Sequence, residues 1–431
     1  MSPETVGVLG IILLVVLLLC RMWIGLAMAF VGIFGFAILR TFDTAFATAG
    51  LVPFKYIAFY PITALPMFAL MGVVLANTGV SGDLYNTANK WMGQFRGGLA
   101  IATVVACAAL AAIMGTSVAE AVTMGKVAVP EMKKYNYADS FSTACVAAGS
   151  TIGILIPPSV GFILYGILTE NSVGALFMAG VFPGILLSGL FIIGIWIVTW
   201  RNPKAGPPGP KTTMKEKVVS LKTTWSMLLL FILVLGGIYG GIFTPTEAGA
   251  IGAFGALMIA LVMRRLHWKN FMESVREAAQ VTAMVVVLMV GAYIFMKFLT
   301  VSNLTTMLTS FIGGLDVSPY VVLTGIIVLY IILGMFLDIM ACIIITIPFM
   351  YPIILTLGFD PIWFGVIMVI MMEMGMITPP VGINVFAISG VSGVPIFTIF
   401  RGVVPFVIAM IVCVILITIF PQIALFLPST M

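Results

Sequence analysis

The 431-residue sequence predicts an all-α polytopic membrane protein made of two repeats of opposite orientation. Three observations support this fold class: the composition, the succession of apolar segments, and a set of helix-interrupting residues that recurs at one offset. Hydrophobic residues make up 62% of the chain and charged residues only 8%, whereas a soluble domain carries about 25% charged residues. Runs such as Leu228–Tyr239 and Ile408–Phe420 are apolar on every face, so lipid or other helices must surround them. A soluble fold is therefore excluded.

Hydrophobic segments follow one another along the whole chain. Those of the first half cover 5–20, 22–39, 54–78, 97–132, 138–168 and 175–200. Those of the second half cover 225–242, 246–263, 278–301, 318–356, 361–388 and 397–427. The stretch 201–222 is rich in Pro and Lys and predicts a cytoplasmic linker between a first repeat, 1–200, and a second repeat, 223–431.

Four of these segments are interrupted. Segments 97–132 and 318–356 are too long for one crossing and are broken by Gly115-Thr116-Ser117 and by Asp338. Each could form two full spans or a re-entrant hairpin that enters and leaves on one side. Segments 138–168 and 361–388 contain the pairs Pro157-Pro158 and Pro379-Pro380. Adjacent prolines remove two amide donors and clash with the preceding turn, which predicts broken helices, although the pairs could also merely kink them.

The interrupting residues of the two halves coincide at an offset of 222 residues. The aligned pairs are Pro130 and Pro352, Gly153 and Gly375, Pro157 and Pro379, Pro158 and Pro380, Gly180 and Gly402, and Pro183 and Pro405. If each half contains one hairpin and five crossings, the odd number turns the second half upside down relative to the first. The sequence therefore predicts the inverted repeat found in many secondary transporters.

The basic residues predict the orientation. With the N-terminus outside, sixteen of the twenty Lys and Arg residues lie on the inner side. Arg40 and Lys55 lie outside, and Lys126 and Lys297, near segment ends, are expected to extend their charged groups to the interface. Both termini are then outside. The first segment is expected to be a retained helix rather than a signal peptide, since its first charge is acidic, at Glu4.

The residues that enzymes commonly use are scarce in this sequence. The single histidine, His267, lies in a basic and aromatic stretch suited to lipid headgroups. The five cysteines show no Cys-x-x-Cys spacing and are interpreted as small core residues. No Gly-rich phosphate loop and no Gly-x-Ser-x-Gly motif occurs. An ATP-driven pump and an intramembrane hydrolase are therefore disfavoured, and no enzyme activity is predicted.

The interruptions are where binding chemistry is expected. Unpaired carbonyls at the Pro-Pro breaks cost several kcal/mol each in hydrocarbon, so they must lie within protein, line a wet cavity or bind a cation such as dehydrated sodium. The tip Gly115-Thr116-Ser117 offers hydroxyls and helix N-terminal amides, which attract carboxylates. Asp338 is the most central acid and is predicted to contact substrate, ion or gate. Glu120 and Glu373 could each be functional or could each belong to an internal polar pair.

Four stretches resemble the signatures of the large membrane subunit of TRAP transporters, the tripartite ATP-independent periplasmic carriers. They are Met114–Ala121, Gly125–Met132, Ile156–Ser159 and Gly375–Asn384. The resemblance covers nearly the whole chain, although the first tip reads Gly-Thr-Ser where Gly-Ser-Ser is common. It implies sodium-driven import of a small organic acid, of the sialic acid or C4-dicarboxylate class, across the bacterial inner membrane by an elevator motion. It also implies two partners: a small four-helix membrane subunit and a periplasmic substrate-binding protein.

The same resemblance implies roles for individual residues. One sodium site would use Ser117, Gly153, Ile156 and Pro158, and a second would use Gly334, Gly375, Thr378 and Val381, mostly through backbone carbonyls. The residues facing the substrate would be Thr116, Ser117, Ser159, Asp338 and Asn384. No arginine lies in either break, so hydroxyls, helix ends and sodium are expected to hold the carboxylate of the substrate.

Two other interpretations share some of these features. A stand-alone sodium/dicarboxylate symporter of the divalent anion type would also have hairpins and an inverted repeat. Such proteins usually show Ser-Asn-Thr at the hairpin tips, which does not occur here. A channel or scaffold protein, in which the breaks only line a pore, is the alternative from a different class.

Overall fold

A computed structural model describes the backbone of residues 1–431 and every side chain except those of Ala112 and Ile113, which fall in the predicted hairpin 97–132. Its described residues form helices, 3-10 turns and loops and contain no β-strand. Among these described residues, eight helices are long and apolar enough to cross a membrane. The predicted all-α fold with several membrane crossings is confirmed.

Ten α-helices precede the linker and ten follow it. The first ten are α1 (Pro3–Leu19), α2 (Ile24–Leu39), α3 (Phe42–Ile57), α4 (Ala64–Asn77), α5 (Val80–Met92), α6 (Gly98–Met114), α7 (Ser117–Lys134), α8 (Asp139–Thr151), α9 (Val160–Thr169) and α10 (Val173–Arg201). The others are α11 (Met214–Tyr239), α12 (Pro245–Val262), α13 (Trp268–Val301), α14 (Leu304–Gly313), α15 (Pro319–Phe336), α16 (Ile339–Thr356), α17 (Pro361–Met376), α18 (Ile383–Ser392), α19 (Ile396–Ile419) and α20 (Gln422–Leu425).

Helix boundaries recur at the same offset as the prolines. Helix α7 begins at Ser117 and α16 begins at Ile339, 222 residues later. Helix α8 begins at Asp139 and α17 at Pro361, again 222 residues later. Two further pairs of helices start within two residues of this spacing: α2 with α12, and α5 with α14. The sequence repeat is thus matched by a repeat of helices.

Two pairs of helices meet at the interruptions of the long apolar segments. Helices α6 and α7, called hairpin 1, meet at Gly115 and Thr116, and Gly115 ends α6 with a left-handed φ of 60°. Glycine accepts this φ without the penalty of a Cβ atom. Helices α15 and α16, called hairpin 2, meet at Leu337 and Asp338.

Two further helices are broken at the proline pairs, as predicted. Helix α8 passes into a 3-10 turn at Ile152–Ile154, and the chain resumes as α9 after Ser159; this interval is called break 1. Helix α17 ends at Met376 and α18 begins at Ile383, which defines break 2. Both Pro-Pro bonds are cis. Break 1 is buried throughout, whereas Pro379 and Pro380 in break 2 are exposed.

The helices pack in two groups. The scaffold group consists of α1 to α4 and α11 to α13, in which α13 packs on α2 and α4, and α12 packs on α4. The hairpin group consists of α6 to α10 and α15 to α19, in which α8 packs on α6, α7 and α19, and α15 packs on α17. The short helices α5 and α14 connect the groups, because α5 contacts both α6 and α11 and α14 contacts both α16 and α1.

The structure adds three short helices to the predicted segments: α5 and α14 lie outside them, and α3 lies largely before segment 54–78. Helix α11 begins at Met214, within the segment taken as linker, because Thr213 and Glu216 form a capping box at its start. The rest of the linker crosses the base of hairpin 1. There the amide of Gly97 donates to the carbonyl of Gly206 (2.9 Å), and the amide of Gly209 donates to the carbonyl of Gly93 (2.8 Å).

Candidate functional site

A large cavity of about 1200 Å³ lies between the two groups of helices. The hairpin group contributes the tip of hairpin 1, the tip of hairpin 2 at Asp338, and Pro158 of break 1. The scaffold group contributes the start of α2, the second half of α4 and the first half of α13. Cavities between packed elements, with a few polar groups on apolar walls, are the usual form of a small-molecule site.

The charged residues of the cavity wall are acidic. Among the described lining residues, Asp338 and Glu277 carry charge, and none is Lys, Arg or His. The remaining polar contacts come from Asn77 and Gln280 of the scaffold and from Thr123 of hairpin 1, together with the tip hydroxyls. An anionic ligand here would have to be bound by backbone amides, hydroxyls or a cation, because the described part of the wall offers no basic side chain.

The tip of hairpin 1 presents a helix N-terminus to this cavity. Thr116 occupies the N-cap position of α7, yet its side chain makes no capping hydrogen bond, so the first amides of α7 receive no side-chain partner. Such amides can bind an anion. Gly115 packs against break 1, since a Cβ atom there would lie 3.2 Å from the carbonyl oxygen of Pro158.

The tip of hairpin 2 is arranged differently. Asp338 is the N-cap of α16, and its carboxylate accepts a hydrogen bond from the amide of Met340 (3.2 Å). A carboxylate at this position also interacts favourably with the positive end of the helix. At hairpin 2 the side chain of Asp338 thus caps the helix, whereas at hairpin 1 the side chain of Thr116, in the same N-cap position, does not.

Three of the five predicted substrate residues line the cavity: Thr116, Ser117 and Asp338. The other two are placed elsewhere. Ser159 is fully buried and its hydroxyl caps α9 by accepting from the amide of Phe162 (3.3 Å). Asn384 is also fully buried, with its amide nitrogen 3.5 Å from the hydroxyl oxygen of Ser150. Neither is part of the described cavity wall.

The residues of the first implied sodium site come from hairpin 1 and break 1. A Cβ atom added to Gly153 would lie 3.8 Å from the Cα atom of Ser117, so these two backbones are neighbours. The carbonyl oxygen of Pro158 faces Gly115 at the tip of hairpin 1. The side chain of Ile156 instead packs against Gly184 of α10.

The residues of the second implied site come from hairpin 2 and break 2. Gly334 and Gly375 are in direct backbone contact, because a Cβ atom on Gly375 would lie 2.7 Å from the Cα atom of Gly334. The hydroxyl of Thr378 donates to the carbonyl of Met374 at 2.5 Å, which leaves its lone pairs available. Val381 is half-buried and precedes Gly382, whose amide donates to the carbonyl of Met335 on hairpin 2 (3.3 Å).

Buried oxygen atoms without partners test whether this region suits a cation. Both carboxylate oxygens of Glu120, both of Glu373, and the side-chain oxygen of Asn384 have no hydrogen-bond partner among the described residues. Native proteins nearly always pair such atoms, so an unpaired group calls for an explanation. Oxygen ligands are what hard cations prefer. The residues present therefore fit an oxygen-coordinated cation.

The scaffold side of the cavity was not predicted from the sequence. Asn77, Glu277 and Gln280 all reach the wall, and the amide of Asn77 donates to the hydroxyl of Ser274 (3.1 Å). Their only sequence signal is polarity close to the ends of apolar segments. Lys126 and Lys297, by contrast, are exposed and lie outside the wall, which agrees with their interpretation as interface residues.

Comparison with known proteins identifies relatives along almost the entire chain. Residues 11–423 match the family described as "Tripartite ATP-independent periplasmic transporter, DctM component". The chain is 38% identical over 371 residues to the C4-dicarboxylate TRAP transporter large permease protein DctM of Pseudomonas aeruginosa, covering 86% of each protein. It is 31% identical over 372 residues to the sialic acid TRAP transporter large permease protein SiaM of Vibrio cholerae, again covering 86% of each. Other relatives are named for isethionate and ectoine.

Among solved structures, the fold is similar to that of the YdaH transporter of Alcanivorax borkumensis. The two superpose with a TM-score of 0.65 at 15% sequence identity, over 90% of this chain and 88% of that one. The likeness concerns the fold alone. The family match and the permease relatives show that the chain belongs to the tripartite ATP-independent periplasmic transporter family, as a multi-pass membrane permease of the large, DctM type.

Proposed function

We propose that this chain is the subunit that moves the substrate in a sodium-coupled importer of a small organic acid. The supporting observation is the cavity in which the uncapped tip of hairpin 1, Asp338 of hairpin 2 and break 1 face the scaffold group. One wall carries the implied binding groups, and the opposite wall belongs to a separately packed set of helices. This division suits an elevator motion, in which the hairpin group carries the substrate past the scaffold.

The orientation of the cavity supports an inward-open state. With the N-terminus outside, as the basic residues predict, the connection between α1 and α2 and the C-terminal end of α4 lie on the cytoplasmic side. Trp23 and Asn77, at these two places, both line the cavity. The cavity then opens to the cytoplasm and would release its substrate there.

The cargo class follows from the relatives and from the wall. Relatives are named for C4-dicarboxylates, sialic acid, isethionate and ectoine, and each of these compounds carries an acidic group. In this chain the uncapped amides of α7 and the hydroxyls of Thr116 and Ser117 would bind that group. Sodium, when bound, would supply positive charge that the cavity wall lacks.

Two partners are part of the proposal. The relatives are described as large permease proteins of tripartite systems, which supports a small membrane subunit and a periplasmic substrate-binding protein as the other components. The isethionate relative, named DctMQ, is longer, and the chain spans 61% of it. Exposed apolar side chains on the scaffold helices, such as Phe34, Phe46 and Phe54, face the bilayer or such a subunit.

Reconstitution into liposomes tests the proposal. The chain, with its small subunit, is placed in vesicles with an imposed inward sodium gradient, and uptake of labelled acids is measured with and without the binding protein. Uptake that requires both sodium and the binding protein is expected.

Two other outcomes separate the alternatives. Full activity of this chain alone would identify a stand-alone symporter. Flux that only runs down the substrate gradient and ignores sodium would identify a channel.

A further inference from the structure

We propose that Glu120 and Glu373 together hold a monovalent cation, sodium in the transport cycle proposed above, and that this ion joins hairpin 1 to the second repeat. The inference rests on the proposed function for the identity of the ion. Neither glutamate is among the ligands that the family resemblance implies. Their carboxylates come from α7 and α17, which are 253 residues apart in sequence.

Both glutamate side chains are buried. Glu120 is 0% exposed and Glu373 is 1% exposed, and both lie inside the hairpin group. The ion pairs formed by the described residues are Lys133 with Asp139, Lys134 with Glu131, and Arg265 with Asp83, so neither glutamate has a basic partner there. Charged groups are almost never fully buried unless they are paired or bind a metal.

A proton on either carboxyl group would find no acceptor among the described residues. A neutral carboxyl needs an acceptor for its proton, and none of the four carboxylate oxygens has a hydrogen-bond partner among the described residues. The buried thiol of Cys107, on the adjacent helix α6, is only a weak hydrogen-bonding group. The two glutamates do not hydrogen-bond to each other. A cation would satisfy several of the oxygens at once.

Break 1 and the first turn of α7 border the carboxylate of Glu120. One oxygen of Glu120 lies where the Cβ atom of any other residue at position 153 would stand, so Gly153 brings the backbone of break 1 directly against this carboxylate. Ser117 precedes Glu120 by three residues on α7, and Met376 follows Glu373 by three residues on α17, so both acids lie one turn from the point where the Ser117 hydroxyl meets Met376. That hydroxyl points to the sulfur of Met376 at 3.7 Å, a weak contact that leaves its lone pairs free.

The number and the type of the available ligands favour a monovalent cation. The described residues contain no group of three or more His, Cys, Asp or Glu side chains that could hold a metal, which disfavours zinc and calcium sites. Magnesium usually keeps several waters, and the burial of Glu120, Glu373 and Ser117 leaves little room for them. Two carboxylates, a hydroxyl and nearby backbone suit a dehydrated sodium ion.

The arrangement has a mechanical consequence. Glu120 is one turn from Ser117 at the tip of hairpin 1, and Glu373 is on the helix that leads into break 2. An ion between the carboxylates would neutralise part of their repulsion and hold the tip of hairpin 1 against α17. Sodium binding would thereby order the tip whose amides face the cavity, which couples the ion to the cargo.

A binding experiment on the full-length protein, in complex with its small subunit, tests this inference. Thermal unfolding is followed while sodium chloride replaces choline chloride, because a ligand that binds the folded state raises its melting temperature. Potassium and calcium are titrated in parallel. The wild type is expected to respond to sodium, and Glu120→Gln and Glu373→Gln are each expected to raise the sodium concentration for half-maximal stabilisation by about 100-fold or more, since even outer-shell changes cost about 10–100-fold.

Controls keep the result interpretable. Glu131→Gln removes an acid of the same helix that is paired with Lys134 at the surface, and it should leave the sodium response unchanged. Because glutamine has nearly the same shape as glutamate, the two test variants should also melt at higher temperature than the wild type when sodium is absent. A variant that does not fold is replaced by Glu120→Asp, for which a sodium response weaker than that of the wild type is expected.

Three results would overturn the inference. They are unchanged sodium responses in both glutamine variants, stabilisation of the wild type by calcium rather than sodium, and no response of the wild type to sodium. The first of these, obtained together with sodium-dependent uptake by the wild type in vesicles, would reject the site while leaving the proposed function intact. Sodium-independent uptake would instead reject the proposed function.

Discussion

The hydroxyl of Tyr293 donates a hydrogen bond to the carbonyl oxygen of Ile167 at 3.2 Å, which joins the scaffold group to the hairpin group. Tyr293 is on α13 and Ile167 is near the end of α9. The ring of Tyr56 lies parallel to that of Tyr293, with centroids 3.4 Å apart, so α3 fixes the position of the hydroxyl. In the proposed orientation this contact is on the outer side, opposite the mouth of the cavity.

Tyr293→Phe is expected to favour the outward-facing state. The change removes the hydroxyl and preserves the stacked ring, and one lost hydrogen bond of about 1 kcal/mol would shift the inward-to-outward ratio about fivefold. The ratio can be measured by labelling a Gln280→Cys reporter with an impermeant maleimide from the inner side, in a Cys20→Ser background. The other four native cysteines are buried. Tyr320→Phe, on the exposed start of α15, is the matched control. Equal labelling in both variants would show that the contact does not bias the states.

Thr378→Val is expected to weaken the sodium dependence of uptake. Valine retains the shape of threonine but lacks the hydroxyl, which lies in break 2 and donates to the carbonyl of Met374. The sodium concentration for half-maximal uptake should rise about tenfold, by analogy with the cost of disturbing a metal-site shell. Thr356→Val is the matched control. The hydroxyl of Thr356, at an exposed position of α16, likewise donates a hydrogen bond to the carbonyl four residues earlier, that of Pro352. A Thr378→Val protein with the sodium response of the control would remove this residue from the second site.

Asp338→Asn and Asp338→Ala are expected to separate folding from transport. Asparagine caps helices as well as aspartate does, so Asp338→Asn should keep the melting temperature. Asp338→Ala should lose about 1 kcal/mol of stability with the cap. Uptake should fall at least about tenfold in both variants, because an ionisable group in the membrane interior is usually functional. Melting curves and initial uptake rates measure the two effects. Normal uptake by Asp338→Asn would mean that the charge serves only to cap α16.

Gly334→Ala is expected to destabilise the protein, whereas Gly325→Ala in the same helix should not. A Cβ atom at Gly334 would lie 2.6 Å from the carbonyl oxygen of Met372, and one at Gly325 would meet nothing within 4 Å. Overpacking at a close backbone contact typically costs about 1–3 kcal/mol. Gly325→Ala, at an exposed position, should be neutral or should stabilise α15 by up to about 1 kcal/mol. Thermal unfolding of the two variants decides the point, and equal melting temperatures would show that hairpin 2 and α17 can separate freely.

The interruptions of the fold were predictable because they depend on local chemistry. Proline pairs cannot continue a helix in any surroundings, so breaks 1 and 2 follow from Pro157-Pro158 and Pro379-Pro380 alone. The short helices α5 and α14 were not predicted. Both are too short or too polar to resemble a membrane span, and their role as connections between the two groups depends on partners remote in sequence.

The candidate site was predictable only in part. Ser117 and Ser159 give similar signals, since each is a serine next to a helix interruption. The structure places Ser117 in the cavity wall and uses Ser159 to cap α9. Glu277 and Gln280 gave no signal of a site, because α13 reaches the cavity only through its packing against α2 and α4.

By itself the sequence determined three properties: the chain is a membrane protein, it is divided into two similar halves, and its helices are interrupted at known positions. These properties follow from the transfer of apolar side chains into lipid and from backbone sterics, which act within a few residues. Only the tertiary structure decided which interruptions face a common cavity and which polar atoms are buried without partners. Glu120 and Glu373 are the clearest case. Two acids 253 residues apart come to lie one turn from the same contact, that of Ser117 with Met376, only when α7 and α17 fold into one group of helices.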